Sequence, residues 1–195
     1  MKYGPRQNLF IFRNKSEADS LDDREIIRIC LTEDSQAFEW LVARYRDSVF
    51  WTAYRLVLDY EDARDVAQQC FLKVWKSLKE YDEKRSFGGW ITKIAANCAI
   101  DFLRSRKESQ PLSETPLPVE SADRNRDIRK IFLRIAPLLA ERQRVVLVLR
   151  EIEEMEIPDI AKMLNCTEST VRNLLSQAKE SFRKKVKELF PEYGM

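Results

Sequence analysis

Lys93, Asn97 and Arg104 recur within Gly88-Gly-Trp-Ile-Thr-Lys-Ile-Ala-Ala-Asn-Cys-Ala-Ile-Asp-Phe-Leu-Arg-Ser-Arg-Lys107. At about 100° per residue they share one helical row with Ile100, and Asp101 borders it. Ile91, Ala95, Cys98 and Phe102 fall on the opposite, inward side. Lysine and arginine can meet phosphates, and an asparagine amide can pair with a base edge. Trp90 opens the same run beside the Tyr81–Phe87 loop. An indole there could stack an unpaired base or pack as an ordinary core side chain.

A second constellation lies near the C-terminus. Pro158 and Asp159 suit the first turn of a short helix, the aspartate at its positive end. Asn165 suits the left-handed residue that ends it, and Thr167 suits the cap of the next helix, with Thr170 three positions on. On that helix Val171, Leu175, Ala178, Phe182 and Leu189 share the core side, with Leu174 on its flank. Asn173, Ser176, Gln177, Glu180, Arg183, Lys184 and Lys187 face the other way, with Arg172 and Lys179 beside them. Two helices with a tight joint make a candidate helix-turn-helix. Arg172, Asn173, Ser176 and Gln177 would reach base edges, and Arg183, Lys184, Lys185 and Lys187 phosphates. The plain alternative is a helical hairpin with a solvated basic face.

Catalysis finds less support. Asp62 and Asp65 could share a face as metal-binding carboxylates do, but no second acidic pair completes a site. Arg64 stands between them, and Asp62 reads as a helix cap. Histidine is absent, which removes the usual general base and the commonest zinc ligand. Asp65, Gln68, Gln69 and Lys73 make a polar surface suited to a protein partner. Cys30, Cys70, Cys98 and Cys166 are scattered with apolar neighbours and read as buried reduced thiols suited to a cytosol. A redox sensor at Cys98 or Cys166 is the alternative. The reading is of a chain that is not an enzyme, with no metal, no cofactor and no small-molecule substrate.

These residues need helices to position them. Lys+Arg 34 against Asp+Glu 32 leaves a net charge of +2, so only local clustering can signal nucleic acid. Four glycines among many Leu, Ala, Glu and Lys residues predict an all-α protein. Asp22 would cap a first helix bearing Ile26, Ile27, Ile29 and Cys30, and Ser35 the second, which carries Phe38, Leu41, Val42, Tyr45, Val49, Ala53 and Leu56. A third runs from about Ala63 to Leu78 with Val66, Cys70, Phe71, Val74 and Trp75 inward. The fourth follows Gly88-Gly89. Residues 108–122 hold three prolines and no helical period, which predicts a flexible linker. A second helical unit begins near Asp123 with Ile128, Ile131, Phe132 and Ile135. The expected organisation is an extension of unknown role (1–20), a helical domain (21–107), the linker, and a helix-turn-helix domain (123–195). No run reaches membrane-spanning length and no signal-peptide pattern opens the chain, so a soluble cytoplasmic protein is expected.

In this order the motifs resemble a known whole. They are Phe38-Glu-Trp-Leu-Val-Ala-Arg-Tyr45, Asp62–Trp75, Phe87–Arg104, Glu141-Arg-Gln-Arg-Val-Val-Leu-Val-Leu-Arg-Glu151 and Ile157–Leu164. The chain resembles bacterial sigma factors of the sigma-70 superfamily, in the compact extracytoplasmic-function group, over roughly residues 21–189. The resemblance implies docking on the clamp helices and flap of core RNA polymerase. Asp62, Asp65, Gln68, Gln69, Phe71, Lys73 and Trp75 would bind the polymerase. Arg85, Trp90, Lys93, Asn97, Asp101 and Arg104 would hold the melted strand of the −10 element. Thr170, Arg172, Asn173, Ser176, Gln177, Lys179, Arg183 and Lys184 would read the −35 element of promoter DNA. An anti-sigma factor is a further implied partner. Three family positions differ: the recognition helix carries Leu174 and Gln177 where arginines are common, and Phe87-Gly-Gly-Trp90 lacks a basic residue. A stand-alone helix-turn-helix regulator and a helical protein-binding adaptor are the competing readings.

Overall fold

The computed structural model describes residues 21–107 and 124–193. The extension 1–20, the linker 108–122 and residues 123, 194 and 195 lie outside it, as do the side chains of 107, 124–129 and 192. Among the described residues all regular structure is helical.

Helix α1 (Asp23–Thr32) begins with a reciprocal cap. Asp22 Oδ1 accepts from the Glu25 amide at 2.8 Å, and Glu25 Oε2 accepts from the Asp22 amide at 2.9 Å. Two of the helix's orphan N–H groups are thereby satisfied. The next cap falls one residue earlier than expected. Asp34, not Ser35, accepts from the Gln36 amide at 2.8 Å, and Ser35–Ala37 forms a 3₁₀ turn leading into α2 (Phe38–Val57). Helix α2 ends on Leu58 in the left-handed region (φ 62), an uncommon place for a leucine. Asp59 then caps α3 (Tyr60–Ser77) by accepting from the Asp62 amide at 3.0 Å. Asp62 is therefore not the cap. Its carboxylate pairs with Arg106 at 3.1 Å, and burial raises its pKa, with Asp59 adding and Arg106 opposing.

Helix α4 (Phe87–Lys107) packs against both α2 and α3. Leu41, Val49, Leu56, Val74, Phe87 and Ile91 fill the bundle and are almost fully buried. Each such side chain contributes roughly 1.5–3 kcal/mol over leaving it exposed. At one end Tyr45, Tyr81, Phe87 and Trp90 form an aromatic knot with ring centroids 5.2–5.5 Å apart. Because α4 meets two helices, its buried arc is wider than the wheel suggested. Ile100, expected in the exposed row, is only 4% exposed.

The second unit comprises α5 (Arg124–Ile135), α6 (Glu141–Glu151), α7 (Ile157–Met163) and α8 (Glu168–Leu189). Pro158 and Asp159 sit in the first turn of α7. Asn165 takes the left-handed conformation (φ 49), and Thr167 Oγ1 accepts from the Thr170 amide at 3.1 Å. Helix α8 lies across α5, α6 and α7, with Val171 and Ala178 buried and Leu175 and Phe182 half-buried. Leu189, expected in the core stripe, is exposed; half-buried Val186 and Phe190 continue the stripe instead. A 3.6-residue helix drifts relative to any fixed residue spacing, and over this length the drift carries Leu189 off the buried line.

Candidate functional site

On α4 the side chains read as strand-facing have separate environments. Asn97 and Asp101 are exposed, while Trp90 is half-buried in the aromatic knot, 5.2 Å from the Tyr81 ring. The Tyr81 hydroxyl donates to the Arg85 carbonyl, which ties back the loop beside that tryptophan. Arg85 itself is exposed, 3.6 Å from Asp82. Lys93 and Arg104, at the two ends of the row, are engaged by the second unit while staying partly exposed. Lys93 Nζ pairs with Asp159 Oδ2 at 2.6 Å, and Arg104 Nη2 donates to the Met163 carbonyl at 2.6 Å. Helix α7 thus spans the α4 row at both ends.

Two further contacts close the units on each other. Arg55 Nη1 meets Glu153 Oε1 at 3.1 Å in a largely buried pair. Arg144 on α6 is 6% exposed, and its Nε and Nη2 donate to the Leu56 carbonyl at 3.3 and 3.1 Å. A guanidinium from one unit therefore caps the C-terminal end of a helix in the other, where the helix dipole favours a cation. Burial pushes the Arg144 pKa down, although arginine keeps its charge.

The polar side of α3 also carries an apolar groove. Asp65, Gln68, Gln69 and Lys73 are exposed, as expected of a partner-facing surface. Trp75, read as inward, is 42% exposed, its ring 5.0 Å from Phe38. Leu72, which the sequence reading passed over, is 55% exposed. With Phe38, Val42 and Phe71 these two side chains line a groove of about 590 Å³. Exposed large apolar side chains grouped around a concavity mark an interaction surface. The signal was present: Leu72 stands four residues after Gln68 and three after Gln69, on the polar stripe.

On α8, Arg172, Asn173, Ser176, Gln177, Arg183 and Lys184 are exposed. Arg172 pairs along the helix with Glu168 at 2.7 Å, and Lys179 reaches Glu151 on α6 at 2.9 Å. Thr170 Oγ1 is 2.9 Å from Thr167 Oγ1, engaged in the cap. Leu174 is half-buried against the core, on the flank of the packed stripe. Packing alone accounts for it.

Among the described residues no group of three or more His, Cys, Asp or Glu could hold a metal ion, and no helix is long and apolar enough to cross a membrane.

Comparison with known proteins adds an independent line. Residues 41–109 match the family model Sigma-70 region 2, and residues 129–182 match Sigma-70, region 4. The chain is 27% identical over 176 residues to the ECF RNA polymerase sigma factor SigW of Bacillus subtilis, covering 80% of this chain and 92% of that protein. It is 28% identical over 186 residues to the RNA polymerase sigma-H factor of Pseudomonas aeruginosa, covering 87% and 96%. Its fold resembles that of CnrH, solved with the cytosolic domain of CnrY, at a TM-score of 0.56 and 24% identity, over 86% of this chain and 98% of that one. It also resembles the sigma factor RpoE of Bartonella quintana, solved with the anti-sigma factor NepR, at a TM-score of 0.56 and 18% identity, over 77% and 96%.

Proposed function

We propose a division of labour between the two units of this chain, which belongs to the sigma-70 superfamily and is an RNA polymerase sigma factor of the extracytoplasmic-function type. The first unit docks on the clamp helices of core polymerase through the exposed side of α3 and the Leu72–Trp75 groove. Helix α4 and the Tyr81–Phe87 loop hold the melted −10 strand, with Trp90 stacking a displaced base. The second unit sets α8 in the major groove of the −35 element and contacts the flap. The polymerase supplies the catalysis, so the chain needs no catalytic residue of its own and acts where the polymerase does, in the cytoplasm. An anti-sigma factor is a further partner, as for the Bartonella relative.

One observation carries this reading. The region 2 match falls on the unit with the α3 groove and the α4 row, and the region 4 match on the unit with α8. The test is to mix the purified chain with core RNA polymerase and a promoter library and score run-off transcripts. No transcript from any template, with no co-elution with core, would sink it. A stand-alone regulator would shift duplex DNA without polymerase. The isolated sigma factor is expected not to, because α8 carries Leu174 and Gln177 where phosphate-anchoring arginines are common in the family. Strand binding by α4 competes with α7, since Lys93 must leave Asp159 before its ammonium reaches a phosphate.

That competition is open to measurement. Asp159→Asn is expected to tighten binding of the free chain to a −10 non-template oligonucleotide about two- to fivefold, the scale of a partly exposed ion pair. Lys93→Ala is expected to weaken it. Equal affinities in all three proteins would dissociate the pair from strand binding. The pH dependence has a definite sign. The hydrogen bond from Lys93 holds the Asp159 carboxyl below the usual aspartate range, with burial opposing. Its contribution to closure is therefore fully present above about pH 4 and is lost as pH falls through the lower folded value.

Asn97→Ala is expected to reduce permanganate reactivity of the open −10 region about fivefold or more while core binding is retained, from loss of one base-edge contact. Unchanged footprints would remove Asn97 from the strand interface. Gln177→Ala is expected to change preference at one −35 position by about 1–3 kcal/mol. A promoter-selection profile that does not move would count against α8 as the reading helix.

A further inference from the structure

Cys70 and Cys98, far apart in the sequence, meet across the contact between α3 and α4. Cys70 is fully buried and Cys98 is 5% exposed. Both lie where α3 packs on α4, and the Lys73–Asp101 pair that crosses the same contact stands three residues beyond each of them. Cys70 Sγ also lies 3.9 Å from the Ile91 carbonyl of α4, which fixes it at this helix contact. Lys73, nearly one turn beyond Cys70, pairs with Asp101 at 3.3 Å, which sets its positive charge on the Cys98 side of the contact. Lys73 and Asp101 are each more than half exposed. They cover the Cys98 side of the pair without sealing it. A thiol beside a cation, next to a second thiol and one side chain from solvent, has the surroundings of a reactive cysteine with its resolving partner.

We propose that Cys70 and Cys98 form a redox-active dithiol, with Cys98 the sulfur that meets a hydroperoxide and Cys70 the sulfur that resolves it. The Cys98 thiolate attacks the terminal peroxide oxygen. The O–O bond breaks, and the departing alkoxide takes a proton and leaves as the alcohol, or as water from hydrogen peroxide. Cys98 is then a sulfenic acid. The Cys70 sulfur, giving up its proton, attacks the Cys98 sulfur; the S–O bond breaks and hydroxide leaves as water. Two thiols lose two electrons to one hydroperoxide, and a disulfide joins α3 to α4. It would sit between the polymerase-facing Gln69 and Lys73 and the strand-facing Asn97 and Asp101.

The two sulfurs are unequal in the required sense. The hydrogen bond from Cys70 draws the Cys98 thiol down to about 7, with Lys73 assisting and burial opposing. The same hydrogen bond and burial push Cys70 up, so it remains the protonated partner. Burial pushes Cys30 up to about 11, which makes it an internal control.

The experiment uses the full chain without polymerase, so it stands or fails apart from the promoter reading. Native protein is treated with a small excess of hydrogen peroxide at neutral pH, alkylated and peptide-mapped. The expected product is one Cys70–Cys98 cross-linked peptide, reversed by a thiol reductant, while Cys30 stays reduced. In Cys70→Ser a Cys98 sulfenic acid should accumulate and be trapped by a 1,3-diketone. In Lys73→Gln oxidation should slow about five- to tenfold, as for a thiol pKa raised by up to one unit. Oxidation of Cys98 no faster than of Cys30, or a first product at Cys166, would overturn the proposal. The wild-type map decides this by itself should a serine variant fail to fold.

Discussion

Leu72→Glu is expected to weaken binding to core RNA polymerase by about thirtyfold or more, with little change in the stability of the free chain. Leu72 is more than half exposed and lines the apolar groove beside Trp75 and Phe38. The few well-packed side chains at the centre of an interface cost about 2 kcal/mol or more when lost, and that is about thirtyfold in affinity. A carboxylate there also has to be desolvated when the partner arrives. Exposed substitutions away from caps and cores usually stay within about 0.5 kcal/mol of wild type in folding. Titration of labelled protein with core polymerase measures the first effect and urea unfolding the second. Wild-type affinity with normal folding would move the polymerase surface away from this groove. Trp75→Ala is a poorer probe, because its ring also packs on Phe38.

Arg144→Met is expected to loosen the two units at a cost of about 2 kcal/mol. The substitution keeps the apolar stem but removes both donors from the Leu56 carbonyl. A buried acceptor left without its donor costs roughly 1–3 kcal/mol. Replacing a buried charge with an apolar side chain recovers part of the desolvation penalty, which keeps the figure moderate. Arg144→Lys should rescue little, since an ammonium cannot present the two-pronged guanidinium edge. Fluorescence transfer between labels on α1 and α8 would report the separation. An unchanged distance with unchanged stability would show that the contact does not hold the units together.

The caps show how far local sequence reaches. Asp22, Pro158, Asn165 and Thr167 act on neighbours within a few residues, and each behaves as its type and spacing imply. Where two candidates compete within that range, spacing alone does not decide. Asp34 caps in place of Ser35 and Asp59 in place of Asp62, each carboxylate accepting the amide two or three residues on. Ile100 and Trp75 were misplaced because a helix wheel knows one helix, while burial depends on how many others pack on it. The engagement of Lys93 and Arg104 by α7 was illegible for a different reason. Their partners include a backbone carbonyl, which any residue would supply, and residues about sixty positions away. Cys70 and Cys98 looked scattered for the same reason. Leu72 is legible by contrast, an apolar side chain three and four residues from Gln69 and Gln68 on the polar stripe.

The Lys93–Asp159 pair also bears on how promoter binding should respond to salt. Each phosphate neutralised by a cation releases condensed counterions from DNA, which normally makes affinity fall steeply as salt rises. Here Lys93 reaches a phosphate only by leaving a carboxylate, and the stranded Asp159 gathers cations of its own. Part of the ion release is thereby returned. Rising salt also screens the internal pair and favours the open form, while it weakens the contact with DNA. The logarithmic salt slope of −10 strand binding should therefore be shallower than a count of the basic residues on α4 implies, and Asp159→Asn should steepen it.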